Sequence, residues 1–380
     1  MFDYIVIGAG LAGSVIAERI ANVLDKKVLV IEKRNHIGGN CYDFYDGNGI
    51  LVHKYGPHIF HTNDTNVWRY LSKFTEWHDY EHRVLGFVDE KKVPIPFNLN
   101  SLHVLFSNYF ADNLKNKLIN QFGYGAKISI LKLKKSPDKD LKFLADFVYD
   151  KIFLNYTKKQ WGMKPEDLDP SVTERVPIFV SYDNRYFQDI FQGVPQEGYH
   201  LMFERMLNHS NIILKLNTDS KNLLKIKDGN IYIRGTEFKG LLVFTGRIDE
   251  LFDKEFGPLP YRSLNFEFEN IQQKFYQEVG TVNYPNDFNF TRITEFKHIT
   301  GQKKPDTTIV KEYPKFCDNE QDIPYYPIPK SEYEKLYKKY AKRAQDVRNL
   351  ILVGRLAEFK YFNMDIVVQR ALRIFEEKIK

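Results

Sequence analysis

The chain has 380 residues, 43% hydrophobic and 15% aromatic, enough for a large core spread over two or three domains. Its 55 basic and 49 acidic side chains leave a net charge of +6, and basic residues concentrate at 132–142 and 335–343 without the aromatic-studded stripe a nucleic-acid surface needs, so a small anionic substrate suits the surplus better. Two cysteines without metal-like spacing, no apolar run near eighteen residues and a first strand opening at Phe2 lead us to expect a cytoplasmic protein with no membrane insertion, no disulfide scaffold and no leader.

Residues 2–7 are apolar enough for a buried strand and run directly into Gly8-Ala9-Gly10-Leu11-Ala12-Gly13. Ala12, Ile16, Ile20 and Val23 then recur at helical spacing, which places the glycines between a strand and a helix. Gly8 permits a tight turn, Gly10 lets backbone N–H groups approach a pyrophosphate at the positive helix end, and Gly13 lets helix and strand pack closely. Residues 27–31 form a second strand, and Glu32 at its end is placed to bind an unphosphorylated adenosine ribose. Arg34 and the pair Gly38-Gly39 before Asn40 extend this unit in a way that resembles the FAD-binding signature of glutathione-reductase-like flavoproteins. FAD is therefore the expected cofactor.

Beyond Asn40 a hairpin turn at 46–49 leads to a loop carrying His58 and His61. With no third ligand at useful spacing a metal site is not expected, and a histidine beside the flavin ring is the sharper reading of this loop. Residues 67–74 have helical spacing, and 83–93 read as two strands ended by the prolines of 94–98. Between 102 and 153 the spacing of Leu114, Leu118 and Phe122, then Leu141, Leu144, Phe147, Val148 and Ile152, predicts an antiparallel helical insertion with a Lys-rich connection at 132–140. Tyr156 and Trp161 close it and could offer a base-stacking surface. Residues 176–186 read as extended chain.

A helix opens at Gly198, and residues 212–216, 230–234 and 240–245 read as strands, the last returning to the cofactor domain at Gly246. The stretches 264–268, 277–284, 290–295 and 308–313 suggest a separate antiparallel sheet. After an aromatic loop at 322–329 and an amphipathic helix at 333–344, a last parallel strand at 349–353 precedes Gly354-Arg355-Leu356. A helix starting near Met364 and Asp365 would aim its positive end at a flavin and favour the reduced anionic form, with Arg355 adding a fixed charge.

Taken together, these residues resemble the bacterial UDP-galactopyranose mutase family over essentially the whole chain. The motifs are His36-Ile37-Gly38-Gly39-Asn40, Tyr55-Gly56-Pro57-His58-Ile59-Phe60-His61-Thr62, Tyr156-Thr157-Lys158-Lys159-Gln160-Trp161-Gly162, Asp183-Asn184-Arg185-Tyr186-Phe187, Thr291-Arg292-Ile293-Thr294-Glu295, Pro324-Tyr325-Tyr326-Pro327 and Gly354-Arg355-Leu356. The resemblance implies an α/β fold with a Rossmann-like FAD domain (1–80, 193–250 and 338–380), a mostly helical insertion with a mobile lid (81–175) and an antiparallel sheet domain (176–192 and 251–337). It implies a homodimer serving cell-surface polysaccharide biosynthesis. The implied reaction interconverts pyranose and furanose forms of a nucleoside diphosphate sugar: reduced-flavin N5 attacks the anomeric carbon, and a flavin iminium permits ring opening and reclosure.

Carried onto this sequence, the resemblance puts His58 beside the flavin edge and makes Arg292 the diphosphate arginine, both catalytic. Gly8, Gly10, Gly13, Glu32, Arg34, Gly38, Gly39, Asn40, Arg355, Met364 and Asp365 would hold the cofactor. Tyr156, Trp161, Tyr186, Tyr325, Tyr326, Tyr361, Asn363 and position 179 would meet the substrate. The sequence departs from the family at four places. Phe179 stands where a second diphosphate arginine is usual, Asn363 where an aspartate is, Arg247 where a proline is, and Phe290 where a tyrosine is. These departures raise an altered substrate such as dTDP-fucopyranose, with Arg185 or Arg247 covering the missing charge. An amine oxidase or desaturase, or a non-catalytic sugar-nucleotide binder, are the readings from other classes.

Overall fold

The computed structural model describes residues 2–169, 177–319 and 321–380. Its cofactor module is a five-stranded parallel sheet in the order Ile212–Lys215, Val28–Ile31, Tyr4–Ile7, Leu241–Phe244, Leu350–Leu352. The inner strands read YIVI, VLVI and LLVF, the near-continuous apolar runs that strands covered on both faces require. Helix Leu11–Leu24 lies on one face, with Tyr199–Leu207 and Met364–Ile374 packed against it. Gly13 makes that approach possible: a Cβ there would lie 1.9 Å from the Gly8 carbonyl oxygen.

The helical unit contains Leu99–Leu105, Asn108–Phe122, Lys139–Val148 and Asn155–Trp161 around a core that includes Leu114, Leu118, Leu141, Leu144 and Val148. Asn98 and Asp138 cap two of these helices through side-chain oxygens that accept backbone N–H groups. A wide turn of helix, Tyr149–Leu154, joins the last two helices and re-aims the chain so that Tyr156 reaches the cleft.

The third component is a seven-stranded sheet ordered Tyr326–Pro327, Tyr261–Ile271, Thr307–Phe316, Arg292–Glu295, Thr281–Asn283, Val84–Val88, Lys91–Ile95. It is antiparallel except where Thr281–Asn283 runs parallel to Val84–Val88. The hairpin at 84–95 is therefore part of this sheet, although the sequence groups it with the helical segment. Its own alternation identifies two strands but carries no information on which distant strand they join. Pro94 is tolerated because Lys91–Ile95 is the sheet edge. Of the expected extended run at 176–186, Val176 and the proposed boundary at 175 and 176 lie outside the described residues. Only Ile178–Phe179 forms a strand, antiparallel to Lys127–Ile128.

Candidate active site

The first Gly-rich turn and the second strand end open on a cavity of about 410 Å³ lined by Gly8, Gly10, Glu32, Arg34, Gly38, Gly39, Asn40, His58, Tyr325, Arg355 and Met364, among others. Gly8, Gly38 and Gly39 have φ of 99°, 88° and 57°, and a Cβ on Gly39 would lie 2.9 Å from the Gly10 Cα, inside the cradle the two glycine segments form. Glu32 is fixed by accepting the Ala9 and Arg34 N–H groups, each at 2.9 Å, which leaves lone pairs for ribose hydroxyls. Arg34 lies over the Tyr55 ring at 4.6 Å and donates to Asn40 at 2.8 Å, while its Nη1 is buried without a partner. A glycine cradle, a ribose-binding carboxylate and an orphaned guanidinium nitrogen fit a dinucleotide pyrophosphate and its adenosine. At the far end of this groove the wall is formed by Thr218, Lys221 and Arg343, which no motif signals, and by Arg247, which was expected near the substrate diphosphate instead.

His58, Tyr325, Arg355 and Met364 also line a second cavity of about 590 Å³. The Nδ1 of His58 donates to the Gly56 carbonyl at 2.8 Å, so the lone pair of the neutral ring is on Nε2. Burial, aided by Arg355 and Arg292, lowers its pKa to about 4 and keeps the ring neutral near pH 7. Arg355 donates to the carbonyls of Tyr325 at 3.2 Å and Phe362 at 2.6 Å, and lies over Tyr361 at 5.3 Å. Its charge is thereby fixed at the junction of the two cavities.

The rest of the second cavity is a cleft between the three structural components. Tyr156, Tyr186, Arg292, Tyr326, Tyr361 and Asn363 line it. Arg292 Nε lies 2.8 Å from Glu312 Oε1, and the Glu312 side chain is 1% exposed. Burial opposes the Arg292 charge, but Glu312, with Tyr156 and Tyr326, outweighs it and holds the guanidinium pKa well above its ordinary value. Desolvation likewise raises Tyr156 and Tyr326, so both enter the cleft as neutral hydroxyls. His61, stacked on Phe187 at 3.6 Å and bonded to Asp189 at 2.8 Å, is a further wall.

Several predicted residues are placed differently. Trp161 is buried behind the cleft, edge-on to Tyr361 at 5.8 Å, and supports the tyrosines without lining the cavity. Phe179 is 7% exposed and lines neither cavity; its ring lies beneath the Lys127 ammonium at 5.3 Å. Asp365 accepts from the Thr62 hydroxyl at 3.2 Å and Gly13 packs against the strand, so neither reaches the cofactor groove wall. The two arginines expected to replace a missing charge are already committed. Arg185 grips Asp183 at 2.8 Å and Glu81 at 3.1 Å, and Arg247 pairs with buried Asp249 at 2.9 Å over the Tyr261 ring. Carboxylates close by in sequence, Asp183 and Asp249, claimed them first.

Lys127, Asp189 and Glu312 are site residues the sequence reading did not single out. For Glu312 a signal existed: it follows Val310 by two positions in a strand, hence on the same buried face, where a carboxylate needs a cation.

The family model for UDP-galactopyranose mutase matches residues 151–361, and one for NAD(P)-binding Rossmann-like domains matches 6–74. A dTDP-fucopyranose mutase of Escherichia coli is 35% identical, covering 100% of this chain and 99% of its own length. A probable UDP-galactopyranose mutase of Klebsiella pneumoniae is 34% identical over 99% of this chain and 94% of its own. The crystal structure of a reduced UDP-galactopyranose mutase superposes with a TM-score of 0.75 at 16% identity, covering 100% of this chain and 94% of that one, a likeness of fold. With a dinucleotide groove opening into a tyrosine- and arginine-lined cleft, and relatives aligned end to end at about one third identity, the chain belongs to the UDP-galactopyranose mutase family.

Proposed function

We propose that the protein interconverts the pyranose and furanose ring forms of a nucleoside diphosphate sugar, with UDP-galactose as substrate and FAD in its reduced form as cofactor. The observation that carries this is the wall shared by the two cavities: His58, Tyr325, Arg355 and Met364 face both, so a cofactor in the groove and a sugar nucleotide in the cleft meet there. When bound and reduced, the flavin supplies an electron-rich ring nitrogen able to displace the nucleoside diphosphate from the anomeric carbon without net redox change.

The chain's own part is orientation and charge. Arg292, backed by Glu312, stabilises the departing diphosphate. Tyr156, Tyr326 and Tyr361 present hydroxyls to it while excluding water. Arg355 and the N-terminus of helix Met364–Ile374 favour negative charge at the junction, which supports the reduced cofactor. Neutral His58 offers its Nε2 lone pair to a proton held there.

dTDP-fucopyranose is the second reading, favoured by the end-to-end match to the Escherichia coli relative. Phe179 no longer argues for it, since its ring lies outside the cleft. Reduced holoenzyme incubated with UDP-galactose and with dTDP-fucose separately, with products resolved by chromatography, tests the assignment. Turnover of UDP-galactose is expected; turnover of dTDP-fucose alone transfers the assignment, and conversion of neither refutes mutase chemistry. The same reading places the protein in the cytoplasm as a homodimer engaged in cell-surface polysaccharide synthesis. A monomer mass by light scattering would refute the dimer.

A further inference from the structure

Among the described residues three cations line the cleft, and their charges are not equally available. Arg292 is offset by the buried carboxylate of Glu312 2.8 Å away. Arg355 is anchored by two backbone carbonyls at the wall shared with the cofactor groove, where it serves the junction. Lys127 differs from both. It comes from the short strand Lys127–Ile128 of the helical unit and stands opposite Phe179 in register, with its ammonium 5.3 Å from that ring's centroid. Among the described residues no carboxylate forms an ion pair with it.

Lys127 lines the cleft, and together with Tyr186 and Gln188 it also lines an adjoining cavity of about 410 Å³ whose other walls include Ser129 and Lys132. A nucleoside diphosphate brings at least two negative charges, and the Arg292–Glu312 pair is neutral as a unit. A second cation is needed, and Lys127 is the cleft-lining cation with no carboxylate partner among the described residues. The buried Phe179 ring contributes by supporting the aliphatic stem and ammonium from below.

We infer that Lys127, contributed by the helical unit, is the second diphosphate-binding cation of the cleft beside Arg292 of the large sheet, with Lys132 of the adjoining cavity adding positive potential; this rests on the mutase reading above. The phosphates are thereby gripped from two components of the fold at once, and residue 179 acts as the platform for the charge next to it.

The test is calorimetric binding of UDP, dTDP and uridine to the FAD holoenzyme and to Lys127→Arg, Lys127→Ala and Lys127→Glu variants. Lys127 is exposed to solvent, so these variants are expected to fold, and retained flavin with an unchanged circular dichroism spectrum verifies it. Lys127→Ala should weaken UDP and dTDP by roughly tenfold to a hundredfold, Lys127→Glu by more, and Lys127→Arg by less than about threefold. Uridine, which has no phosphate, should bind all four proteins within twofold. UDP and dTDP affinities within twofold of wild type in Lys127→Ala overturn the assignment, as does an equal loss for uridine. If wild type binds UDP yet Lys127→Ala is unaffected, only this inference fails. If wild type binds neither diphosphate, the mutase reading fails with it.

Discussion

Arg292 and Glu312 face each other across neighbouring strands in a site that excludes water from the carboxylate. Arg292→Ala should therefore cost both function and fold. We expect kcat/KM to fall about a hundredfold to a thousandfold through loss of leaving-group stabilisation, and stability to fall about 3–5 kcal/mol because Glu312 is left buried and uncompensated. The double variant Arg292→Met with Glu312→Leu should recover the melting temperature and none of the activity, which separates the two effects. A second prediction concerns His53 and His82, 1% and 5% exposed, whose pKa values burial lowers from 6.5 to about 3. The unfolded chain takes up protons near pH 6.5 where the folded one does not. Their contribution is thus present above about pH 6.5 and is lost as pH falls toward 3. Denaturant midpoints measured across that window should decline with falling pH, and less steeply in His82→Gln. Residues whose role is local were readable from sequence: Gly8, Glu32 and Gly39 announce themselves by spacing within one βαβ unit. Glu312 and Lys127 were not, because each acquires its role by register with a distant strand, and Arg185 and Arg247 were misjudged because charge alone does not say which carboxylate is nearest.

In the cofactor module helix Leu11–Leu24 starts close against the end of strand Tyr4–Ile7 and the turn after it: a Cβ at residue 13 would meet the Gly8 carbonyl oxygen at 1.9 Å and the Val6 side chain at 3.1 Å. Gly13→Ala should push the helix outward, cost at least about 3 kcal/mol and release flavin on desalting. Retention of cofactor with an unshifted melting curve would contradict that packing account. Elements with their own periodicity were legible: both helices flanking the groove and the five parallel strands stand where the sequence puts them, and the hairpin expected at 83–93 is present, its second strand running through Pro94 to Ile95. The sheet that 84–95 joins was not legible, since alternation fixes which face of a strand is buried and is silent about its neighbour. The extended reading of 176–186 shrank to Ile178–Phe179 because Asp183 turns the chain back on itself by accepting the Arg185 N–H.

At the scale of the molecule the cleft is walled by all three components: His58 and Tyr361 from the cofactor module, Lys127 and Tyr156 from the helical unit, Arg292 and Tyr326 from the large sheet. A ligand touching all of them binds only the assembled fold, so UDP at a hundred times its dissociation constant should add about 2.7 kcal/mol and raise the melting temperature about 3 °C in one cooperative transition. Uridine at equal concentration should do much less. The parallel pairing of Val84–Val88 with Thr281–Asn283 has a further consequence, for the order in which a nascent chain can fold. The edge at 84–88 has no partner on that side until residue 283 has left the ribosome, and Arg355 and Met364, which complete the cofactor groove, come later still. The helical unit can condense early around its own core, but the 84–95 hairpin packed on it must wait with an open strand edge, and FAD can be gripped only after residues 355 and 364 have emerged.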